Sequence, residues 1–438
     1  MSSILTDRAA SIHIVGITQA ADLVGDALLA LKQADLVIGS QRQLELVQPL
    51  FVDGVLVEQT VEPDWLELPK LADLNGLIDS YSNQKGCQFI VVLASGDPLY
   101  YGIGRWFSKH YEAARLTFYP AISSIQMACH RSGVALQDVT VLSLHGRPLE
   151  KLRTRLKKHS RLLILTDKHS QPKALAQECL AAGFEQSSLT VFENLSYPHE
   201  RIRKYSAQQL ADDEGLGSET FEPLHVTMIE VAGKGGIMPE FPGIPDAAYA
   251  TGAPEGKGML TKREVRLCVL SMLQPENQDV IWDLGAGCGG VAVELAYWNE
   301  HATVYAVECH AERLQHLATN QRRFGVVSNL RIISGHAPEC LSDLPNPTKV
   351  FIGGSGTELA GLLRTVWSVL PEEGLLVASA VLEKTRQILT GFAEGLDADQ
   401  VESVEVSIKR GRLADSGLDY TAKFPVEVFK FIKKGGVQ

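Results

Sequence analysis

The stretch that decides the fold is Val280-Ile-Trp-Asp-Leu-Gly-Ala-Gly-Cys-Gly-Gly290. It reads as a strand over Val280–Leu284 that ends in an acid, a turn carrying Gly285, Gly287 and Gly289, and a helix from about Val291. Glycines allow a sharp turn and a close backbone approach to a ligand, because they carry no Cβ. A second acid, Glu308, closes the next strand, where a ribose-binding carboxylate stands in nucleoside-binding folds. The dinucleotide fingerprint G-x-G-x-x-G seats a pyrophosphate on a helix N-terminus. Here the spacing is G-x-G-x-G, and Asp283 stands two residues before the first glycine. An acid there repels a pyrophosphate and suits the cationic methionine end of S-adenosylmethionine (SAM). The stretch therefore predicts a SAM site rather than an NAD site.

Outward from this stretch, strands and helices alternate. Strands are expected at Thr303–Val307, Leu330–Ile333, Val350–Ile352, Leu375–Ala380, Val401–Ile408 and Val426–Ile432, with helices such as His310–Phe324 and Glu358–Leu370 between them. Towards the N-terminus the strand candidates are Ile12–Ile17, Leu36–Ile38, Phe89–Ala94, Val139–Leu144, Leu162–Thr166 and Leu189–Glu193, with helices over Ala21–Gln33 and Pro172–Ala182. Such alternation predicts α/β architecture with parallel sheets covered by helices. Between the two series lies Gly233–Gly258, in which eleven of 26 residues are Gly or Pro. That composition excludes a helix or a central strand. Three segments follow: a first domain over 11–235, a joint over 236–257 and a second domain over 258–438.

The length of 438 residues suits two or three domains. The chain is 45% hydrophobic and 21% charged, enough to bury real cores. Its net charge of −11 is spread evenly: −6 before Asp246 (22 basic, 28 acidic) and −5 from there on (19 basic, 24 acidic). Neither half has the basic excess of a nucleic-acid-binding domain. No apolar run reaches the roughly 18 residues of a membrane span, and Met1–Ala10 lacks the apolar core of a secretory signal. The seven cysteines show no C-x-x-C spacing, and the twelve histidines form no H-E-x-x-H. The expectation is a cytoplasmic protein with reduced thiols, without a metal site, membrane or nucleic-acid partner.

Several motifs then carry a resemblance. Met259-Leu-Thr-Lys-Arg-Glu-Val-Arg266, Asp283–Gly289, Gly335-His-Ala-Pro-Glu339, Phe351-Ile-Gly-Gly-Ser355 and Phe424-Pro-Val-Glu-Val428 resemble the cobalamin-pathway methyltransferases that methylate C15 of a precorrin and decarboxylate its C12 acetate. The resemblance runs from about residue 246 to the end. It implies a Rossmann-like class I SAM methyltransferase with cofactor contacts at Thr261, Gly285, Ala286, Gly287, Cys288, Gly289, Glu308 and Ala337. Lys262, Arg263 and Arg266 are candidates for the carboxylates of an anionic tetrapyrrole. The Gly353-Gly354-Ser355-Gly356 loop, at a strand's ligand-side end, is the candidate decarboxylation pocket, with Gly353, Gly354 and Ser355 as its catalytic residues.

The first half resembles the tetrapyrrole methylases, a fold of two α/β subdomains, over about residues 11–235. The carriers are Ala94-Ser-Gly-Asp-Pro-Leu-Tyr-Tyr-Gly-Ile-Gly104 and Tyr119-Pro-Ala-Ile-Ser-Ser-Ile-Gln126. Ala34–Arg42 and Leu142-Ser-Leu-His-Gly-Arg147 point to the precorrin C5-methyltransferase branch. The resemblance implies SAM contacts at Gly96, Asp97, Ser123, Ser124, Leu165 and Thr166; His145 and Arg147, at the strand end ahead of a basic helical stretch, are candidates for substrate carboxylates. One departure stands out: the G-x-G-P-G loop usual after the first strand reads Gly16-Ile-Thr-Gln-Ala20 here. Together the halves imply two SAM-dependent methylations of one macrocycle, one SAM per domain, in a homo-oligomer. Three other readings remain: a nucleic-acid methyltransferase, which calls for a basic surface and an N-P-P-Y or D-P-P-Y motif; a tetrapyrrole carrier without turnover; and an NAD enzyme.

Overall fold

The computed structural model describes residues 10–19, 23–52, 62–84, 86–212, 220–254, 258–354, 358–415 and 417–434. The chain forms two compact units. The first comprises Met1–His145, Arg161–Pro172 and Ser188–Glu230; the second comprises Gly146–Ser160, Lys173–Ser187 and Val231–Gln438.

In chain order, the first half begins β1 (Ser11–Ile17), α1 (Gly25–Lys32), β2 (Leu36–Gly39), α2 (Gln41–Val52), β3 (Asp64–Glu67) and α3 (Leu71–Gln84). It continues with β4 (Phe89–Ser95), α4 (Gly104–His110), β5 (Leu116–Tyr119) and α5 (Ser124–Ser132). These five strands form a wholly parallel sheet, ordered β3-β2-β4-β1-β5. Its central strands are largely buried, as the apolar run FIVVLA of β4 and the IHIVGI of β1, broken only by the partly buried His13, require.

A second sheet follows: β6 (Thr140–Ser143), β7 (Arg161–Leu165), α6 (Pro172–Ala181), β8 (Ser188–Glu193), β9 (Arg201–Ser206), α7 (Ala207–Ala211) and β10 (His225–Glu230). Its order is β6-β7-β10-β8-β9, and only the β6–β7 pair is parallel. The expectation of parallel sheets throughout is corrected here. The helix-and-strand alternation does not run through this region, where β8 and β9 are hairpin neighbours.

The second half holds α8 (Arg263–Leu273), β11 (Val280–Leu284), α9 (Gly290–Trp298), β12 (Thr303–Glu308), α10 (Ala311–Arg323), β13 (Leu330–Ser334) and β14 (Lys349–Ile352). After these come α11 (Leu359–Val369), β15 (Leu375–Ala380), α12 (Glu383–Ala393), β16 (Val401–Val406), β17 (Lys409–Ala414), β18 (Gly417–Ala422) and β19 (Val426–Ile432). Seven strands form one sheet, ordered β13-β12-β11-β14-β15-β19-β16. The first five are parallel; β19 and β16 join antiparallel. The order reverses at β11, so the ends of β11, β12 and β14 open the crevice where doubly wound sheets bind ligands. The hairpin β17–β18 stands apart as its own two-stranded sheet.

Among its described residues, the Gly/Pro-rich joint contains only a 3-10 turn at Asp246–Ala248. It is nevertheless built into the second unit. Ile244, Ala248 and Tyr249 are buried. The Glu294 carboxylate on α9 accepts from the Gly243 amide at 2.8 Å and the Ile244 amide at 3.0 Å. Asn320 of α10 donates to the Ala250 carbonyl at 2.9 Å and accepts from the Ala250 amide at 2.8 Å.

Candidate functional site

In the second unit, the loops at the ends of β11, β12 and β14 enclose a cavity of about 570 Å³. That size suits a nucleoside-sized ligand. Gly285, Ala286, Gly287, Glu308, Ala337, Gly353 and Gly354 line it, together with Thr261 and Lys262 from the segment ahead of α8. The backbone makes this possible at Gly287. Its φ is +59°, and a Cβ there would lie 2.6 Å from the Met259 carbonyl oxygen. The glycine turn and the Met259 segment thus close on each other, and the Cys288 amide donates to Met259 O at 3.0 Å.

Glu308 is the fixed polar group of the cavity. Its Oε2 accepts from the Gly287 amide at 2.9 Å. Its Oε1 accepts from the Cys309 and His310 amides at 2.9 Å each and lies 2.8 Å from His310 Nδ1. Burial would push this carboxyl up; the His310 amide and ring and the Gly287 and Cys309 amides outweigh it and hold Glu308 below the usual range. The cavity therefore presents a pre-set anion, suited to a pair of ribose hydroxyls. Glu308→Ala removes that acceptor and leaves three amides without a partner. Calorimetric titration is expected to show SAM affinity falling about a hundredfold, the weight of a charge-assisted hydrogen-bond pair.

Some expected residues stand elsewhere. Cys288 is buried, and its carbonyl accepts from Asn320 Nδ2 at 2.8 Å. Gly289 faces Leu317, whose Cδ1 would lie 2.3 Å from an added Cβ. Both turn into the protein rather than the cavity. Arg266, expected at substrate, is corrected outright. It is 0% exposed, its Nε donates to Glu294 at 2.6 Å, and its Nη1 donates to Asp246 at 3.0 Å and to the Thr261 carbonyl at 2.6 Å. Its Nη2 donates to the Ile244 carbonyl. Arg263 is exposed at the start of α8, beside Glu264 at 3.4 Å. Ser355 and Gly356 lie outside the described residues.

Asp283, read as facing the cofactor's methionine end, does not line the cavity. It is 1% exposed and neither carboxylate oxygen has a hydrogen-bond partner. Burial pushes its pKa up to about 7; the Ala292 amide, nearby but outside hydrogen-bond geometry, opposes this, and Glu308 adds repulsion. The unfolded chain ionises this group near 3.8, whereas the folded chain keeps the proton to about pH 7. The stabilising contribution of this one group is therefore fully present below about pH 4 and is lost as pH rises through this window, by an amount on the order of a few kcal/mol. In Asp283→Asn, denaturant unfolding of this half at several pH values is expected to lose that slope.

Sequence reasoning missed His310, Cys309 and Met259, which also line the cavity. Among the described residues, Glu308, Cys309 and His310 form one group whose possible ligand atoms lie within 4.8 Å of one another. The backbone amides on both Glu308 oxygens make it a hydrogen-bonded corner of the cavity.

In the first unit, the ends of β1, β4 and β5 converge. A Cβ on Gly16 would lie 2.0 Å from the Gly96 carbonyl oxygen, 2.8 Å from the Ala121 amide and 2.9 Å from the Tyr119 carbonyl oxygen. Gly96 itself, with φ +64°, backs onto Ser123 Cα at 2.8 Å from its own would-be Cβ. So Gly96 packs against Ser123. The Asp97 carboxylate accepts from the Leu99 amide at 2.8 Å and shapes the turn. Ser123 is a buried helix cap: its Oγ accepts from the Gln126 amide at 3.2 Å, and Gln126 Oε1 accepts from the Ser123 amide at 2.9 Å. Ser124 is exposed. Leu165 and Thr166 bond within the second sheet: the Leu165 carbonyl accepts from the Leu144 amide at 2.8 Å, and Thr166 Oγ1 donates to the His225 carbonyl at 3.2 Å. His145 and Arg147 are exposed just beyond β6. A residue without an assigned role, Arg42, fixes the strand end ahead of the turn. It donates to Ser95 Oγ and to Tyr197 Oη, each at 3.1 Å, and its guanidinium sits 5.5 Å from the Tyr197 ring centre.

Two family models match the chain. The family model for tetrapyrrole (corrin/porphyrin) methylases matches residues 15–211, and that for the precorrin methyltransferase domain matches residues 253–433. Fold and site thus define a SAM-dependent methyltransferase in which a tetrapyrrole methylase domain precedes a precorrin methyltransferase domain. A precorrin-6Y C(5,15)-methyltransferase [decarboxylating] from Sinorhizobium sp is 35% identical over 380 residues, covering 86% of each chain. One from Mycobacterium tuberculosis is 31% identical, covering 82% of this chain and 84% of its own. The chain belongs to the precorrin-6Y C(5,15)-methyltransferase (decarboxylating) family. A probable cobalt-precorrin-6B C(15)-methyltransferase (decarboxylating) from Pyrobaculum calidifontis is 35% identical over 192 residues, 43% of this chain and 94% of its own.

Proposed function

We propose that the chain methylates C5 and C15 of a precorrin-6B-type tetrapyrrole, with or without cobalt, and decarboxylates its C12 acetate, with one SAM in each half. The observation that carries this is the cavity of the second unit, where one locked carboxylate, Glu308, faces a glycine turn at the switch point of the sheet. SAM supplies a methyl group on a sulfonium leaving group. The chain's residues supply alignment: Glu308 accepts from the ribose, the Gly285–Gly287 backbone lies along the ligand, and Val307, Leu362 and Val426 form dry walls. Gly353 and Gly354 end β14 on the cavity and form the described part of the decarboxylation pocket. In the first half, the Gly96–Asp97 turn against Ser123–Ser124 is the second SAM site, and 236–257 is the joint between the two activities.

We place the chain in the cytosol, with its seven cysteines unpaired. Among the described residues no helix is long and apolar enough to cross a membrane. A homo-oligomer is favoured by the β17–β18 hairpin, whose Leu413, Leu418 and Tyr420 face solvent. Sedimentation velocity checks it.

The deciding experiment is mass spectrometry of precorrin-6B, with and without cobalt, after incubation with protein and SAM. Two added methyl groups with loss of carbon dioxide is the expected result. One methyl group with decarboxylation would restrict the activity to the second half. No change, with SAM bound, would overturn the assignment.

A further inference from the structure

The cavity of the second unit opens beside an apolar rim that alignment of SAM does not require. Four large side chains there face solvent: Met259 is 59% exposed, Val381 55%, Leu382 69% and Phe424 84%. Met259 and Val381 line the cavity itself. The sheet register brings the others alongside. Antiparallel pairing sets Ala380, the last residue of β15, opposite Glu427. Val381 and Leu382 therefore leave β15 along the segment that enters β19, Phe424-Pro425-Val426, whose Val426 also lines the cavity. A single exposed apolar residue means little, but four gathered at the mouth of a binding cavity mark an interaction surface.

Basic charge stands at the same mouth. Lys262 lines the cavity and lies in the field of both Arg410 and Lys423, with Asp246 opposing them. Arg410 is engaged by Glu264 at 2.7 Å and Asp246 at 3.5 Å. A ligand matching this surface is flat and apolar across its middle and anionic at its edge. A tetrapyrrole bearing acetate and propionate arms has that form.

We propose that Met259, Val381, Leu382 and Phe424 seat one face of the macrocycle over the second cavity, and that Lys262 and Lys423 receive its peripheral carboxylates. The inference rests on the functional reading above and extends it to the residues that choose the substrate. Substrate laid on this rim has its reacting edge over the cavity mouth, so the seat acts through binding and orientation rather than through the transferring atoms.

The test uses the full chain carrying Phe424→Ser with Leu382→Ser, and separately Lys423→Glu. These side chains are exposed, so the fold is expected to stand; Phe424→Trp is the conservative control. Steady-state kinetics of C15 methylation and decarboxylation are read beside calorimetric SAM binding and C5 methylation. The double variant is expected to raise KM for the tetrapyrrole about tenfold or more, as lost substrate binding does, with SAM affinity and C5 methylation unchanged and Phe424→Trp close to wild type. Lys423→Glu is expected to raise KM in a salt-dependent manner. An inactive wild-type chain would overturn the functional reading, and the seat with it. An active wild type with KM unchanged in the double variant would overturn the seat alone. Loss of self-association with KM unchanged would assign the rim to a second copy of the chain.

Discussion

Arg266→Leu is expected to destabilise the second unit by about 3–5 kcal/mol, the cost of breaking a buried ion pair from one side. Glu294 is 0% exposed, so the substitution strands an anion where water cannot reach. The same guanidinium holds the Thr261 and Ile244 carbonyls and lies 5.0 Å from the centre of the Tyr249 ring. Those acceptors would lose their donor together. For a unit of this size, that loss lowers the thermal midpoint by roughly 10 °C or more. Scanning calorimetry or denaturant unfolding of wild type and variant measures it. Arg266→Leu combined with Glu294→Leu is expected to recover part of the loss, because the stranded charge is gone. A variant as stable as wild type would show that the pair bears no part of the fold. Because Thr261 lines the cavity, SAM affinity is expected to fall as well, whereas removal of a residue that only greets substrate would leave it unchanged.

Gly16→Ala separates the two activities. The added methyl group would sit 2.0 Å from one backbone carbonyl oxygen and under 3 Å from two further backbone atoms. None of these neighbours is a side chain that can swing aside, so β1, the Gly96 turn and the Pro120–Ala121 segment must part. A displacement of about 1 Å in a positioned site costs on the order of a hundredfold in rate. C5 methylation is expected to fall by at least that factor, with C15 methylation and decarboxylation kept. The product mass would show one methyl group gained and carbon dioxide lost. Equal loss of both methylations would mean that the first half governs the second. This position also explains the departure of the Gly16–Ala20 loop. The one glycine retained is the one whose Cβ would overlap backbone on three sides, and Thr18 Oγ1 donates to the Ile122 carbonyl at 3.0 Å.

How far the fold could be read from sequence depended on how local its cause was. The strand, turn and helix over 280–298 are encoded within a dozen residues, and so is Glu308 at the end of β12. Both fall where expected. β9, with the sequence RIRKYS, has no apolar run; as an edge strand it needs none, so its signal is weak. β10 is buried but reads HVTMIE, with His225 and Thr227 inside, and an apolar search passes over it. β3, β5, β17 and β18 escaped notice for similar reasons: they are short or exposed. The site shows the same limit. Arg263 and Arg266 are both cations at the start of one helix, and one faces water while the other is fully buried. The difference lies in Glu294, 28 residues away, and Asp246, 20 residues away, which no local pattern reveals. Asp283 and Glu308 both stand at strand ends, yet three amides hydrogen-bond to Glu308 while neither Asp283 oxygen has a partner in hydrogen-bond geometry.

The joint between the two halves has a bearing on how such a chain could be divided. Its sequence looks like a dispensable tether, and a cut at Gly258 would seem to release an intact second enzyme. The structure ties the joint into the second unit from Gly243 onward. Gly243, Ile244, Asp246 and Ala250 satisfy Glu294, Arg266 and Asn320. A second half beginning at Gly258 would keep the Arg266–Glu294 pair but lose the Gly243 and Ile244 amides from Glu294, the Asp246 carboxylate from Arg266 and Ala250 from Asn320, whereas one beginning near Gly233 would keep all of these contacts. Gene fission in this lineage, or a protease probing the folded chain, would therefore be tolerated upstream of Gly243 and punished downstream of it, although the composition is equally loose on both sides.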